Sequence, residues 1–160
     1  MVELVPSLLR QELARLAEES ERIDGRGQWD TREVSLETNC LYNAEGSAKV
    51  VMGGTVVYAG VKFELRTPWP DRPTQGSLMC GAELRPVAGR KYEPGPPSPE
   101  SIELGRVVDR GIRESGCIDM ESLCIVPGEK VWGVMIDIHV MSDQGNIFDA
   151  CGLAAIAALR

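Results

Sequence analysis

Apolar and polar positions alternate along much of this chain. Val34, Leu36, Thr38 and Cys40 are separated by Ser35, Glu37 and Asn39, the period of a half-buried strand. Residues 48–52 and 55–65 predict two more strands on either side of Gly53-Gly54, a tight-turn pair. The run 55–65 is nearly all apolar at its start and alternates later, which predicts burial on both faces at one end. Residues 78–84 form a further candidate strand. In 131–142, Trp132, Val134, Ile136, Ile138 and Val140 share one face, and Pro127-Gly128-Glu129-Lys130 turns this strand back on residues 121–126.

Three stretches follow helical period instead. Leu8, Leu9, Leu13 and Leu16 come after Pro6-Ser7 and predict a short amphipathic helix with Ser7 as N-cap. Ser98 and Pro99 suit the N-cap and first position of a second helix, which runs to about Ser115 and stops near Gly116. The turn Asp143-Gln144-Gly145-Asn146 opens a third, Ala-rich helix with Asn146 as N-cap. There Ala150, Leu153, Ala154, Ile156, Ala157 and Leu159 are apolar around most of the circumference, so this helix asks for burial on more than one side and predicts a packing partner outside the chain.

Residues 67–76 and 89–99 are broken by prolines and read as loops. The polar stretch 18–30 reads as an exposed turn leading from the first helix into the body. Residues 1–30 are therefore assigned as an N-terminal helix and linker, and residues 31–160 as one domain. The order of helix, four strands, helix, two strands and helix is an α+β pattern, with helices covering a largely antiparallel sheet.

Composition narrows the function. A formal net charge of −7 disfavours a protein that binds nucleic acid over its whole surface, although a local basic stripe remains open. Aromatics at 5% disfavour a broad base-stacking platform. No two of Cys40, Cys80, Cys117, Cys124 and Cys151 form a C-x-x-C, and His139 is the single histidine, so neither a zinc site nor any cofactor is indicated. The odd cysteine count and the lack of a signal peptide predict free thiols in the cytoplasm, and no apolar run is long enough to span a membrane.

The second helix carries the most chemistry. At about 100° per residue, Arg106, Arg110 and Arg113 fall in a wedge of roughly 60°, with Leu104, Val107, Val108 and Gly111 broadly opposite. Three guanidiniums in a row suit a phosphate backbone. The competing reading is a solvated face, with Glu103 pairing to Arg106 and Glu114 to Arg110. The start of the third helix is a candidate anion site, but residues 144–148 contain no Ser, Thr, Lys or Arg, so a plain capped turn competes. Asp137 and His139 share a strand face and are either an acid/base pair or solvated positions. Asp24, Asp30, Asp119 and Asp149 show no metal-binding spacing.

Five stretches, in this order and spacing, resemble the RNase PH family: residues 21–26 (ERIDGR), 54–62 (GTVVYAGVK), 92–97 (YEPGPP), 101–110 (SIELGRVVDR) and 123–130 (LCIVPGEK). The proline-rich run 94–97 and the Arg-Val-Val-Asp-Arg segment are most similar to the non-catalytic RNase PH-like subunits of archaeal exosomes. The resemblance implies a fold like domain 2 of ribosomal protein S5, a sheet with helices on one side. It also implies that the chain corresponds to the first of two such halves.

In function, the resemblance implies a hetero-hexameric ring shared with a catalytic RNase PH-like subunit, capped by S1- or KH-domain proteins, that degrades RNA in the 3′-to-5′ direction. Arg106 and Arg110 match family positions that hold the RNA backbone; Arg113 is added from helix geometry alone. Catalytic relatives have a Gly-Gly-(Ser/Thr)-Arg phosphate loop where this chain has Gln144-Gly145-Asn146-Ile147, and an arginine pair near the point where it has Pro99-Glu100. Their acidic catalytic residues lie in the second half. The expectation is a non-catalytic subunit; the alternative is a phosphate-dependent 3′–5′ exoribonuclease active in its own right.

Overall fold

The computed structural model describes residues 7–160. The elements are α1 (Ser7–Glu18), β1 (Val34–Thr38), β2 (Gly46–Met52), β3 (Thr55–Arg66), β4 (Ser77–Leu84), α2 (Pro99–Ser115), β5 (Cys124–Val126), β6 (Lys130–Ser142) and α3 (Ile147–Ala158). The chain divides into two compact units, Met1–Glu33 and Val34–Arg160.

In the first unit, α1 is stabilised along its exposed face by Arg15, which bridges Glu12 and Glu19 at 2.7 Å each. The turn after it closes through Arg22 N–H donating to the Arg26 carbonyl, and Asp24 pairs with Arg26 at 2.8 Å. The N-cap expected at Ser7 depends on side chains and a neighbour outside the described residues.

The second unit is built on one sheet of order β1-β2-β3-β6-β4, with β5 adding to one end of β6. All pairings are antiparallel except β4 with β6, where Leu78 lies beside Val134 and Leu84 beside Val140. A parallel pair needs a crossover, and α2 supplies it. Alternation places Ala48, Val50, Val57, Ala59, Val61, Val134, Ile136, Ile138 and Val140 on one face, each nearly inaccessible to solvent. Helices α2 and α3 cover that face, α2 over β4 and α3 over β2 and β3. The result is the expected α+β architecture with helices on one side.

Local chemistry explains the helix ends. The Ser98 side chain accepts from Ser101 N–H, Pro99 opens the first turn, and Gly116 closes α2 at φ 64°. Gly105 is buried within α2, and a Cβ there would lie 3.3 Å from the Cys80 carbonyl oxygen and Ala82 nitrogen. Its missing side chain lets the helix settle on the β4 backbone.

Four expectations are corrected. Strand β1 is exposed at all five of its positions instead of half-buried. The packed face of α2 is Ser101, Leu104, Gly105, Val108 and Ile112; Val107 and Gly111 are exposed, because the helix rests on its Gly105 side. Of residues 121–126 only the last three are strand, since Asp119 accepts from Glu121 N–H and draws the preceding residues into a turn. Strand β3 is enclosed only on its covered face at the start, with Val56 and Tyr58 half-buried behind it, and its far end is exposed on both.

Candidate functional site

The arginines of α2 lie on its outer face, opposite the buried side of the helix. They are not equivalent. Arg113 is committed to the fold: it makes a bidentate pair with Asp109 at 2.8 and 3.0 Å, and its Nη2 donates to the Leu78 carbonyl at 2.9 Å. That carbonyl is on β4, an edge of the sheet, so Arg113 ties the last turn of α2 to the edge strand. Its guanidinium is held further toward the charged form by Asp109.

Arg106 and Arg110 are different. Both are exposed, and among the described residues neither takes part in a salt bridge or side-chain hydrogen bond. The pairs anticipated with Glu103 and Glu114 do not form. Around them run two shallow depressions. One, of about 530 Å³, is bordered by Pro99, Ile102, Glu103, Val107 and the two arginines. The other, of about 410 Å³, is bordered by Cys80, Asp109, Glu114 and all three arginines. Two unengaged guanidiniums one helical turn apart, over an apolar rim, can hold consecutive anionic groups.

The start of α3 is built to the opposite sign. Asn146 sits at the N-cap position in left-handed conformation, φ 57°, and its side chain does not cap the helix. Instead Nδ2 donates to Asp149 Oδ2 at 2.9 Å, setting a carboxylate in the first turn, where a helix dipole favours negative charge. Asp143 accepts from Gly145 N–H at 2.9 Å, from the Tyr92 hydroxyl at 2.7 Å, and from Lys91 at 3.0 Å. Burial alone would raise the Asp143 carboxyl, but these donors outweigh it and hold the group below the usual carboxylate range. Thr55 locks the same turn by donating to the Gly145 carbonyl and accepting from Gln144 N–H. The helix start thus carries Asp149 in its first turn and, beside it, an Asp143 already paired with Lys91.

The remaining candidates separate. Asp137 and His139 point from the uncovered face of the sheet in different cross-strand rows, Asp137 beside Gly60 and Gly81, His139 beside Tyr58 and Glu83. His139 Nδ1 lies 3.6 Å from Glu83, with no hydrogen bond between Asp137 and His139. No cluster of three or more His, Cys, Asp or Glu among the described residues is arranged to hold a metal ion, and none of their helices is long and apolar enough to cross a membrane. The interaction that pattern reading missed is Tyr92–Asp143; a buried tyrosine in a proline-rich loop was its one signal.

Residues 30–160 match the 3′ exoribonuclease family, domain 1, the RNase PH domain. The chain is 52% identical over 159 residues to the exosome complex component Rrp42 of Methanosarcina acetivorans, covering 99% of this chain and 60% of that protein. Against Rrp42 of Archaeoglobus fulgidus the identity is 53% over 141 residues, or 88% of this chain and 54% of the relative. Among solved structures, a chain of the Archaeoglobus fulgidus exosome with RNA bound to the active site superposes with a TM-score of 0.90 at 51% identity, covering 94% of this chain and 59% of that one. A chain of an archaeal exosome core gives 0.82 at 47% identity, covering 94% and 56%. The chain spans about 60% of the length of the curated relatives it matches.

Proposed function

The chain belongs to the 3′ exoribonuclease (RNase PH) family, and we propose that it acts there as a non-catalytic subunit of an archaeal exosome core. In this reading it forms a hetero-hexameric ring with a catalytic RNase PH-like subunit, beneath S1- or KH-domain cap proteins, in the cytoplasm. Its contribution to 3′–5′ RNA degradation is electrostatic. Arg106 and Arg110 hold backbone phosphates near the partner's active cleft.

The observation that carries this reading is the pair of exposed arginines with no partner among the described residues, in a chain of net charge −7. Isolated guanidiniums in an acidic protein are the groups an RNA backbone would find. The start of α3 supports the non-catalytic half of the reading: where the resemblance implies a phosphate loop in catalytic relatives, this chain has Gln144-Gly145-Asn146-Ile147 flanked by Asp143 and Asp149. Arg113 belongs to the scaffold: it positions α2 and so orients the other two.

The deciding experiment is reconstitution with a catalytic RNase PH-like exosome subunit, followed by phosphate-dependent RNA decay. Arg106→Glu with Arg110→Glu is expected to leave the ring assembled and slow decay. Unchanged decay at physiological salt would overturn the role of the arginines, and phosphate-dependent release of nucleoside diphosphates by this chain alone would overturn the non-catalytic reading.

A further inference from the structure

A depression of about 380 Å³ at the far end of β3 is bordered by Glu64, Arg66, Thr67, Trp69 and Ser77. Three features there are unexplained by folding. Trp69 is 65% exposed, although it stands between Pro68 and Pro70, and Arg72 N–H donates to its carbonyl at 2.9 Å. Pro70 limits the backbone of Trp69, which holds the residue at the border of the depression. Second, Ser77 Oγ is the one buried side-chain nitrogen or oxygen among the described residues without a hydrogen-bond partner. Third, Gly133 leaves the room in which the Arg66 and Ser77 side chains lie: a Cβ there would come within 2.9 Å of both Arg66 Cδ and Ser77 Oγ.

The chemistry of these groups selects the ligand. Arg66 donates through Nε and Nη2 to Glu64 Oε2 at 3.0 and 2.9 Å, and its Nη1 lies 3.3 Å from Met79 Sδ. Its charge is therefore balanced locally, and the depression lacks the excess positive field that would favour a phosphate. What borders it is an exposed aromatic ring, a charge-balanced planar guanidinium and a serine whose buried hydroxyl lacks a partner. An uncharged, flat heterocycle with polar edges meets all three.

Resting on the RNA-binding reading above, we infer that this depression takes a single unstacked RNA base against Trp69. Ser77 immediately precedes Leu78, whose carbonyl receives Arg113, so the depression and the last turn of α2 stand at the same end of β4, the depression on the sheet face that α2 leaves uncovered. The chain's aromatics point the same way: of eight, only Tyr92 is buried, and Trp29, Tyr42, Phe63, Trp69, Trp132 and Phe148 are exposed. Among these, Trp69 is the ring that shares a depression with a guanidinium and an orphan hydroxyl.

Stacking and phosphate contact have different salt signatures, and that separates this inference from the reading it rests on. The full chain is titrated with a short single-stranded oligouridine carrying 5-bromouridine, at several salt concentrations, and then irradiated. Trp69→Ala is expected to weaken binding on the order of tenfold with an unchanged salt slope, and Trp69→Phe to restore most of it. The cross-link is expected on Trp69. Arg106→Glu with Arg110→Glu is expected to lower the slope and keep the cross-link. Normal binding by Trp69→Ala together with a cross-link elsewhere overturns the base site, whatever the arginine variants do. Loss of ring assembly by Trp69→Ala with RNA binding intact also overturns it, in favour of a protein contact.

Discussion

The Tyr92 hydroxyl donates to Asp143 Oδ2 at 2.7 Å, joining two loops 51 residues apart in the chain. Lys91 contacts the same oxygen at 3.0 Å and lies over the Tyr92 ring at 4.9 Å. Asp143 N–H in turn donates to the Ala88 carbonyl. This cluster fastens the proline-rich loop to the turn that starts α3. Burial, followed by the neighbouring Asp143 carboxylate, pushes the Tyr92 phenol up to about 12, so it remains a donor throughout the neutral range.

The first prediction concerns acid stability. The folded-state carboxyl of Asp143 is depressed, so its contribution is present above the unfolded carboxylate value, about 3.9, and is lost as pH falls through the folded value. Asp143→Asn is expected to flatten that part of the acid-unfolding profile below about pH 4. Tyr92→Phe is expected to cost about 1–2 kcal/mol at neutral pH, read from denaturant melts. An unaltered acid limb in Asp143→Asn would show that the cluster does not control it.

The arginines of α2 divide by what they touch. Arg113→Ala removes a bidentate pair and the donor to the Leu78 carbonyl, and is expected to destabilise the chain by about 1–2 kcal/mol. Arg106→Ala and Arg110→Ala are expected to stay within about 0.5 kcal/mol of the parent, since they are exposed and unpaired. Equal destabilisation by all three would contradict this division.

RNA binding supplies a third check. If each of Arg106 and Arg110 neutralises one phosphate, the double Glu variant is expected to lower the slope of log K against log salt by roughly 1.4 on a single strand. Titrations at three or more salt concentrations measure it. Arg113→Ala is expected to leave the slope nearly unchanged, because that charge is already engaged by Asp109.

Two glycines of one helix are expected to respond oppositely. Gly111 is exposed, and nothing lies within 4 Å of the point where an alanine methyl would stand, so Gly111→Ala is expected to stabilise by about 0.5–1 kcal/mol through helix propensity. Gly105→Val presses on the β4 backbone and is expected to cost about 1–3 kcal/mol. Thermal melts of the pair test the register of α2 on the sheet; the same sign for both would refute it.

Thiol reactivity offers a fifth. Burial pushes the Cys80 and Cys151 thiols up to about 12. Both are expected to resist alkylation at neutral pH in the folded chain, whereas exposed Cys117 is expected to react. Peptide mapping after brief iodoacetamide treatment reads this directly, and rapid labelling of Cys151 would mean that α3 opens.

The period-2 and period-3.6 patterns determined the elements, because each is a local property that survives whatever the chain later packs against. Ser98, Pro99 and Gly116 marked the ends of α2 through capping chemistry that also acts within a few residues. The sequence likewise determined the α+β class and, through five ordered stretches, the family. It did not determine which arginine would be tied down. Glu103, Asp109 and Glu114 all stand at helical spacing from an arginine, and the choice fell to Asp109–Arg113 because the edge of β4 offers Arg113 a second acceptor at Leu78. Nor did it distinguish Gly105 from Gly111, or reveal that β4 lies parallel to β6, or that Tyr92 reaches Asp143. Those outcomes depend on groups far apart in the chain, and only packing the helices onto one face of the sheet brings them within hydrogen-bonding or van der Waals range.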